Sequence, residues 1–171
     1  MKIVLLGYMA SGKSTIGREI SKKLDMKFID LDDYISKREK RSISEIFKVE
    51  GEIYFRKIES LYLGEILNSK DSFILSLGGG TPCYSNNMEL ILNSEASSTY
   101  IKADIKTLAS RLIAEKNKRP LVADLEDDKL LEFVAKHLFE RRFFYEQASI
   151  TVNSENKSIE EIITEIRILL Y

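Results

Sequence analysis

Ile3-Val4-Leu5-Leu6-Gly7-Tyr8-Met9-Ala10-Ser11-Gly12-Lys13-Ser14-Thr15 is the stretch that decides the fold. Its first four residues are an apolar run that reads as a buried strand. From Gly7 the chain fits G-x-x-x-x-G-K-[ST], the P-loop pattern. Beyond it Ile16, Ile20 and Leu24 recur at helical spacing, so a helix opens at about Lys13. Gly7 and Gly12 allow a tight loop whose N–H groups converge, where the helix dipole already favours an anion. Ala10, Ser11, Gly12, Lys13, Ser14 and Thr15 are therefore candidate phosphate-binding residues. Lys13 reaches toward β- and γ-phosphates, and the Ser14 hydroxyl suits Mg²⁺. Strand, glycine loop and helix together imply a site for a nucleoside triphosphate.

The chain has 171 residues, 44% hydrophobic and 31% charged, which suits one soluble globular domain over 1–171. Its 26 Lys and Arg against 27 Asp and Glu are scattered, so composition offers no case for a nucleic-acid or membrane partner. The single cysteine, Cys83, excludes an intrachain disulfide framework and fits a reducing, cytoplasmic setting. No run approaches a membrane span, and the first apolar run is too short for a signal peptide.

Working outward, Lys27-Phe28-Ile29 reads as a second strand running into Asp30-Leu31-Asp32-Asp33. Ser42-Ile43-Ser44-Glu45 is a capping box that starts a helix, which Gly51 interrupts. Phe55, Ile58, Tyr62 and Ile66 mark the helix that follows, with Arg56 one step off the apolar stripe. Phe73–Leu77 is a third strand, ending in Gly78-Gly79-Gly80-Thr81-Pro82, and a short helix spans Asn87 to Leu92. Thr99-Tyr100-Ile101 and Ile150-Thr151-Val152 are the fourth and fifth strands. Helices are expected from Ile105, over Lys129 to about Gln147, and from Ile159. The charged stretch from Glu115 to Asp128 reads as a long functional loop. Five buried strands alternating with helices imply a parallel sheet in a three-layer α/β/α fold. Right-handed crossovers then bring the P-loop, Asp30, Asp32 and the glycine triplet to one sheet edge.

If the segment after the second strand stays extended, alternation points Asp30 and Asp32 to the same face, where they divide metal and substrate hydroxyl between them. The plainer reading is helix capping by Asp32 or Asp33. Three glycines in a row suggest a ligand pressed against bare backbone, against a flexible turn as the alternative. Arg56, Arg119 and Arg141 each read alone as surface residues. His137 reads as a packing residue, because phosphoryl transfer at a P-loop needs no imidazole; Cys83 reads as inert and Phe143-Phe144-Tyr145 as core.

Taken together, the motifs resemble the shikimate kinase family over nearly the whole chain. They are G-x-x-x-x-G-K-S-T-I-G-R at Gly7 to Arg18, D-x-D at Asp30 and Asp32, and F-R-x-x-E at Phe55 to Glu59. L-G-G-G at Leu77 to Gly80, R-P-L at Arg119 to Leu121 and R-x-x-x-Y at Arg141 to Tyr145 complete the set. The resemblance implies a nucleoside monophosphate kinase-like fold with a lid over about 115–128 and a substrate-binding helical region over about 32–62. It implies transfer of the ATP γ-phosphoryl group to the 3-hydroxyl of shikimate, with Mg²⁺, on the way to chorismate and the aromatic amino acids. By the same resemblance Lys13, Asp32 and Arg119 would be catalytic, with Asp32 at the accepting hydroxyl and Arg119 on the lid. Arg56 and Arg141 would grip the shikimate carboxylate, with Gly78, Gly79 and Gly80 along the ring hydroxyls. Ser14 and Asp30 would support Mg²⁺, and Arg111 and the loop after Asn153 would border the adenine. The protein would act as a monomer. Two other readings stay open: a kinase for another small hydroxylated acid such as gluconate, and a slow nucleotide switch. Against the switch, Asn117-Lys118 runs into Arg119-Pro120 and does not form N-K-x-D.

Overall fold

A computed structural model describes residues 1–115 and 125–170. Arg119, and with it most of the expected lid, lies outside the described residues. Five strands form one parallel sheet: β1 (Lys2–Leu6), β2 (Lys27–Asp30), β3 (Phe73–Ser76), β4 (Ser97–Lys102) and β5 (Ile150–Asn153). Their order is β2-β3-β1-β4-β5, every neighbouring pair parallel. The helices are α1 (Lys13–Leu24), α2 (Leu31–Glu39), α3 (Ile43–Leu67), α4 (Asn87–Leu92), α5 (Ile105–Ala114), α6 (Asp127–Tyr145) and α7 (Ile159–Leu170).

The period-two geometry of β1 sorts the core into two halves. Ile3 and Leu5 face one way and pack with Ile16 and Ile20 of α1 and Ile162, Ile163 and Ile166 of α7. Val4 and Leu6 face the other way, into a larger cluster that includes Phe55 and Ile58 of α3, Leu108 and Leu112 of α5 and Leu130 and Val134 of α6. Both faces of the sheet are thus covered, which is why its central strands read as unbroken apolar runs.

β1 is central, with β3 on one side and β4 on the other, so successive crossovers leave it in opposite directions. The crevice above its carboxyl end is the switch point at which such sheets take ligands. Here Gly7 departs from the strand with φ +142°, and a Cβ on it would stand 2.6 Å from the Ile101 carbonyl oxygen, so no other residue fits. The capping box at Ser42 is present in full, with Ser42 and Glu45 exchanging side-chain-to-backbone bonds. Gly51 breaks the helical backbone inside α3 where the sequence places the interruption.

Two expectations fail. The segment after β2 does not stay extended: Asp30 is the N-cap of α2, its carboxylate accepting from the Asp32 N–H at 3.2 Å. Asp32 therefore occupies the first turn of α2 and is placed by helix geometry, and the cap is neither Asp32 nor Asp33. An N-cap carboxylate satisfies donors that an extended strand end would leave bare. Phe143 is not core; it is 72% exposed, whereas Tyr145 two residues on is fully buried. Three consecutive residues on a helix span too wide an arc to face one way.

Candidate active site

The carboxyl ends of β1, β2, β3 and β5 contribute to the site. The P-loop runs from β1 to α1, and Gly12, the N-cap of α1, has φ +98°. Lys13 is buried, and its ammonium donates to the carbonyls of Gly7 at 2.9 Å and Tyr8 at 2.8 Å. The side chain thus folds back along the loop, with its charge inside the ring of backbone that the motif creates. Arg111 of α5 donates to the carbonyls of Ala10 and Ser11 at 3.2 and 3.3 Å, bracing the loop from the side. A cleft of 410 Å³ opens over these residues and is lined also by Asp30, Asp32, Gly78, Gly79, Ser154 and Lys157.

Beside the first turn of α1, the Ser14 hydroxyl donates to Asp30 Oδ2 at 3.0 Å and lies 3.2 Å from the Ser76 hydroxyl. Two hydroxyls and a carboxylate are hard oxygen donors, the kind Mg²⁺ takes. Among the described residues no group of three or more His, Cys, Asp or Glu could hold a metal. A P-loop site fits that shortage, since phosphate oxygens and water complete the octahedron there. The donor set therefore suits Mg²⁺ bound together with nucleotide.

Asp32 points into the same cleft. Burial, then the negative charges of Asp30 and Glu59, push its pKa up to about 6, against the pull of Lys13 and Arg56. A carboxyl so placed is a proton acceptor poised close to neutrality.

The glycine loop after β3 is where the arginines converge. A Cβ on Gly79 would stand 3.2 Å from the Met9 nitrogen and 3.6 Å from Arg141 Nη1. A Cβ on Gly80 would stand 3.1 Å from Arg56 Nη2, and one on Gly78 3.5 Å from Asp32 Oδ1. None of the three has positive φ, so they are glycine for want of room, not for backbone conformation. Tyr145 donates to the Gly79 carbonyl at 2.5 Å, fixing α6 to the loop one turn from Arg141.

The two arginines differ electrically. Arg56 Nη1 meets Glu59 at 2.8 Å, and Glu59, 1% exposed, also accepts from the Thr81 hydroxyl at 2.7 Å. Arg141 has no carboxylate within ion-pair distance among the described residues, and its guanidinium carbon lies 5.7 Å from the Tyr8 ring centroid. Among the described residues, one arginine has a carboxylate partner and the other has none.

Sequence-level reading located most of this cleft, including the loop after Asn153 that carries Ser154 and Lys157, but gave no role to Met9, which lines it, or to Glu59, which holds Arg56. Glu59 had a signal: a carboxylate three residues after Arg56 on a helix is its natural partner. Asn153 sits exposed at the end of β5, its carboxamide oxygen accepting from the Glu155 N–H at 2.9 Å, so it shapes the turn that carries Ser154. His137 stacks on Phe133 with centroids 4.2 Å apart, a packing contact. Burial pushes the Cys83 thiol up to about 11, which keeps it protonated and inert.

A family model described as shikimate kinase matches residues 9–170. The chain is similar to a shikimate kinase of Flavobacterium johnsoniae, 49% identical over 165 residues that make up 96% of each chain. Among solved structures, shikimate kinase from Bacteroides thetaiotaomicron superposes with a TM-score of 0.92 at 34% identity, over 99% of this chain and 98% of that one. Shikimate kinase from Acinetobacter baumannii, solved in complex with shikimate, superposes at 0.85 with 27% identity, over 99% and 92%. A kinase of this type takes ATP as phosphoryl donor and Mg²⁺ as its usual metal. With the P-loop, the paired aspartates and the arginine-flanked glycines gathered at one sheet edge, and the match spanning almost the whole sequence, the chain belongs to the shikimate kinase family.

Proposed function

We propose that this protein transfers the γ-phosphoryl group of ATP to the 3-hydroxyl of shikimate, releasing shikimate 3-phosphate and ADP, a step toward chorismate and the aromatic amino acids. The observation that carries this reading is Arg141, with no carboxylate partner among the described residues, beside the bare Gly79 backbone that lines the cleft with Asp32 and the P-loop. Shikimate is a small carboxylate with three hydroxyls. A guanidinium fork suits its carboxylate, and a buried aspartate suits a hydroxyl.

In this reading the backbone N–H groups of Ala10 to Thr15 cradle the phosphates, with Lys13 turning from the loop carbonyls onto the transferred group. Ser14 and Asp30 would hold Mg²⁺, which would supply positive charge beside the phosphates. Arg56 and Arg141 clamp the carboxylate, and Gly78 to Gly80 let the ring lie against the backbone. Asp32 orients the 3-hydroxyl; that oxygen bonds to the γ-phosphorus while the bond to the ADP oxygen breaks, and the proton passes to the Asp32 carboxylate. Because the transition state is loose, positioning and charge supply most of the rate. Arg119 would reach the phosphates from a lid over about 115–128, and Arg111 and the Asn153 turn would flank the adenine.

The same reading has a single domain over 1–171, with substrate held by the region over about 32–62. It acts as a cytoplasmic monomer on small molecules, without nucleic acid or membrane. No helix among the described residues is long and apolar enough to cross a membrane. The test is ADP release coupled to an indicator reaction, across shikimate, quinate, gluconate and water. Release that depends on shikimate is expected; release with water alone, or a preference for gluconate, would overturn the reading.

A further inference from the structure

Arg56 projects from α3 with its side chain only 17% exposed, and Glu59 holds one edge of the guanidinium. Glu52 meets Nε at 3.4 Å. Both carboxylates hold the guanidinium at its edge, and the restraint on its face comes from the loop after β3. There the guanidinium carbon lies 3.9 Å from the ring centroid of Tyr84, nearer than the 5.2 Å to Phe55. Tyr84 also touches the wall of the glycine loop: a Cβ on Gly80 would meet Tyr84 Cε2 at 3.5 Å and Arg56 Nη2 at 3.1 Å. Tyr84 is 38% exposed and lines a surface groove with Ile53 and Leu61, not the P-loop cleft. Arg56 borders that groove too, and neither it nor Tyr84 lines the P-loop cleft.

Resting on the assignment of Arg56 to the substrate carboxylate, we propose that Tyr84 is a positioning residue that aims this arginine. Its ring covers one face of the guanidinium, sets its plane, and keeps water from that face, so that the free edge faces across Gly80. A cation over an aromatic face is attracted to it, more so when partly desolvated. Bidentate capture of a carboxylate needs the fork in plane, and a fork already held loses less freedom on binding. Tyr84 touches neither the phosphates nor the reacting oxygen. Its effect is therefore the same in ground and transition states and falls on the KM for shikimate.

The experiment is steady-state kinetics on the full chain with shikimate varied at saturating MgATP, for wild type, Tyr84→Leu, Tyr84→Gln and Tyr84→Phe, with thermal unfolding alongside. Failure of wild type to phosphorylate shikimate would strike at the functional reading, not at Tyr84. Given wild-type transfer, Tyr84→Leu and Tyr84→Gln should raise the KM for shikimate about 5- to 30-fold, with kcat and the KM for ATP held within about twofold. Tyr84→Phe should restore the wild-type KM, because the ring and not the hydroxyl does the aiming. In an Arg56→Ala background, Tyr84→Leu should cause no further loss in kcat/KM. An unchanged KM in both non-aromatic variants would overturn the proposal. So would a Phe variant as impaired as Leu, or a loss that persists without Arg56.

Discussion

Ser14 donates its hydroxyl proton to Asp30 Oδ2 at 3.0 Å, while the other oxygen of the same carboxylate accepts from the Asp32 N–H at 3.2 Å. One side chain thus caps α2 and faces the P-loop hydroxyl proposed to hold Mg²⁺. These duties separate by substitution. Asparagine is as good an N-cap as aspartate, so Asp30→Asn should keep the fold within about 0.5 kcal/mol. It removes the charge, however, and should raise the Mg²⁺ concentration needed for half-maximal rate about tenfold. Asp30→Ala loses both and should unfold about 1 kcal/mol more easily. Magnesium titrations of the rate, with urea unfolding of each variant, check both halves.

Asp32 should weaken the fold that it serves. Its folded pKa of about 6 stands above the ordinary value of 3.8, so between those values the folded state keeps a proton that the unfolded chain has shed. Its contribution to stability is whole below pH 4 and is lost as pH rises through 6. Asp32→Asn, which is never charged, should therefore stabilise the metal-free protein by about 3 kcal/mol at pH 8, and the gain should vanish toward pH 4. The same variant should lose kcat by about 10²-fold or more, since the proton acceptor has gone. Thermal unfolding in chelator across that range, with kcat at saturating substrates, reads both; a pH-independent difference in stability would refute the burial argument.

Lys13→Ala should abolish transfer, by about 10³-fold or more, since the charge it brings to the phosphates acts in a site shielded from water. The fold should lose only about 1–2 kcal/mol, the scale of its two bonds to the Gly7 and Tyr8 carbonyls. Arg119→Ala should cost about 10² in kcat. Single-turnover rates and circular dichroism separate chemistry from folding, and wild-type turnover in either variant would remove that residue from the mechanism.

Arg141 and Arg56 should respond unequally to lysine. Both variants keep the charge and lose the fork, so the expected effect is a higher KM for shikimate, ~1–3 kcal/mol in kcat/KM. Arg141 should show the larger effect: no carboxylate pairs with it among the described residues, whereas Glu59 already compensates Arg56. Equal losses would mean that Glu59 does not temper its partner.

Much of this was legible in the residues, for physical reasons. Ile3 to Leu6 is a buried parallel strand and has no polar face to blur it, and Ser42 with Glu45 announces a helix start through local bonds alone. The arginines were legible only through the motifs around them. What failed was what depends on tertiary placement. Helix α2 hid behind two aspartates because its cap, Asp30, is also the last residue of β2. Phe143 looked like core because apolar character was read without helical phase. Glu59 stands within a motif, yet its bond to Thr81, 22 positions away, is not legible in residue spacing.

The central claim is that this cleft moves a phosphoryl group onto one hydroxyl of shikimate. Phosphorus–proton correlation NMR on the product of an exhaustive reaction with MgATP tests it most directly. The account predicts one phosphate monoester coupled to the proton at carbon 3, formed in equal amount with ADP. Inorganic phosphate in place of an ester, or an ester at another hydroxyl, would contradict it.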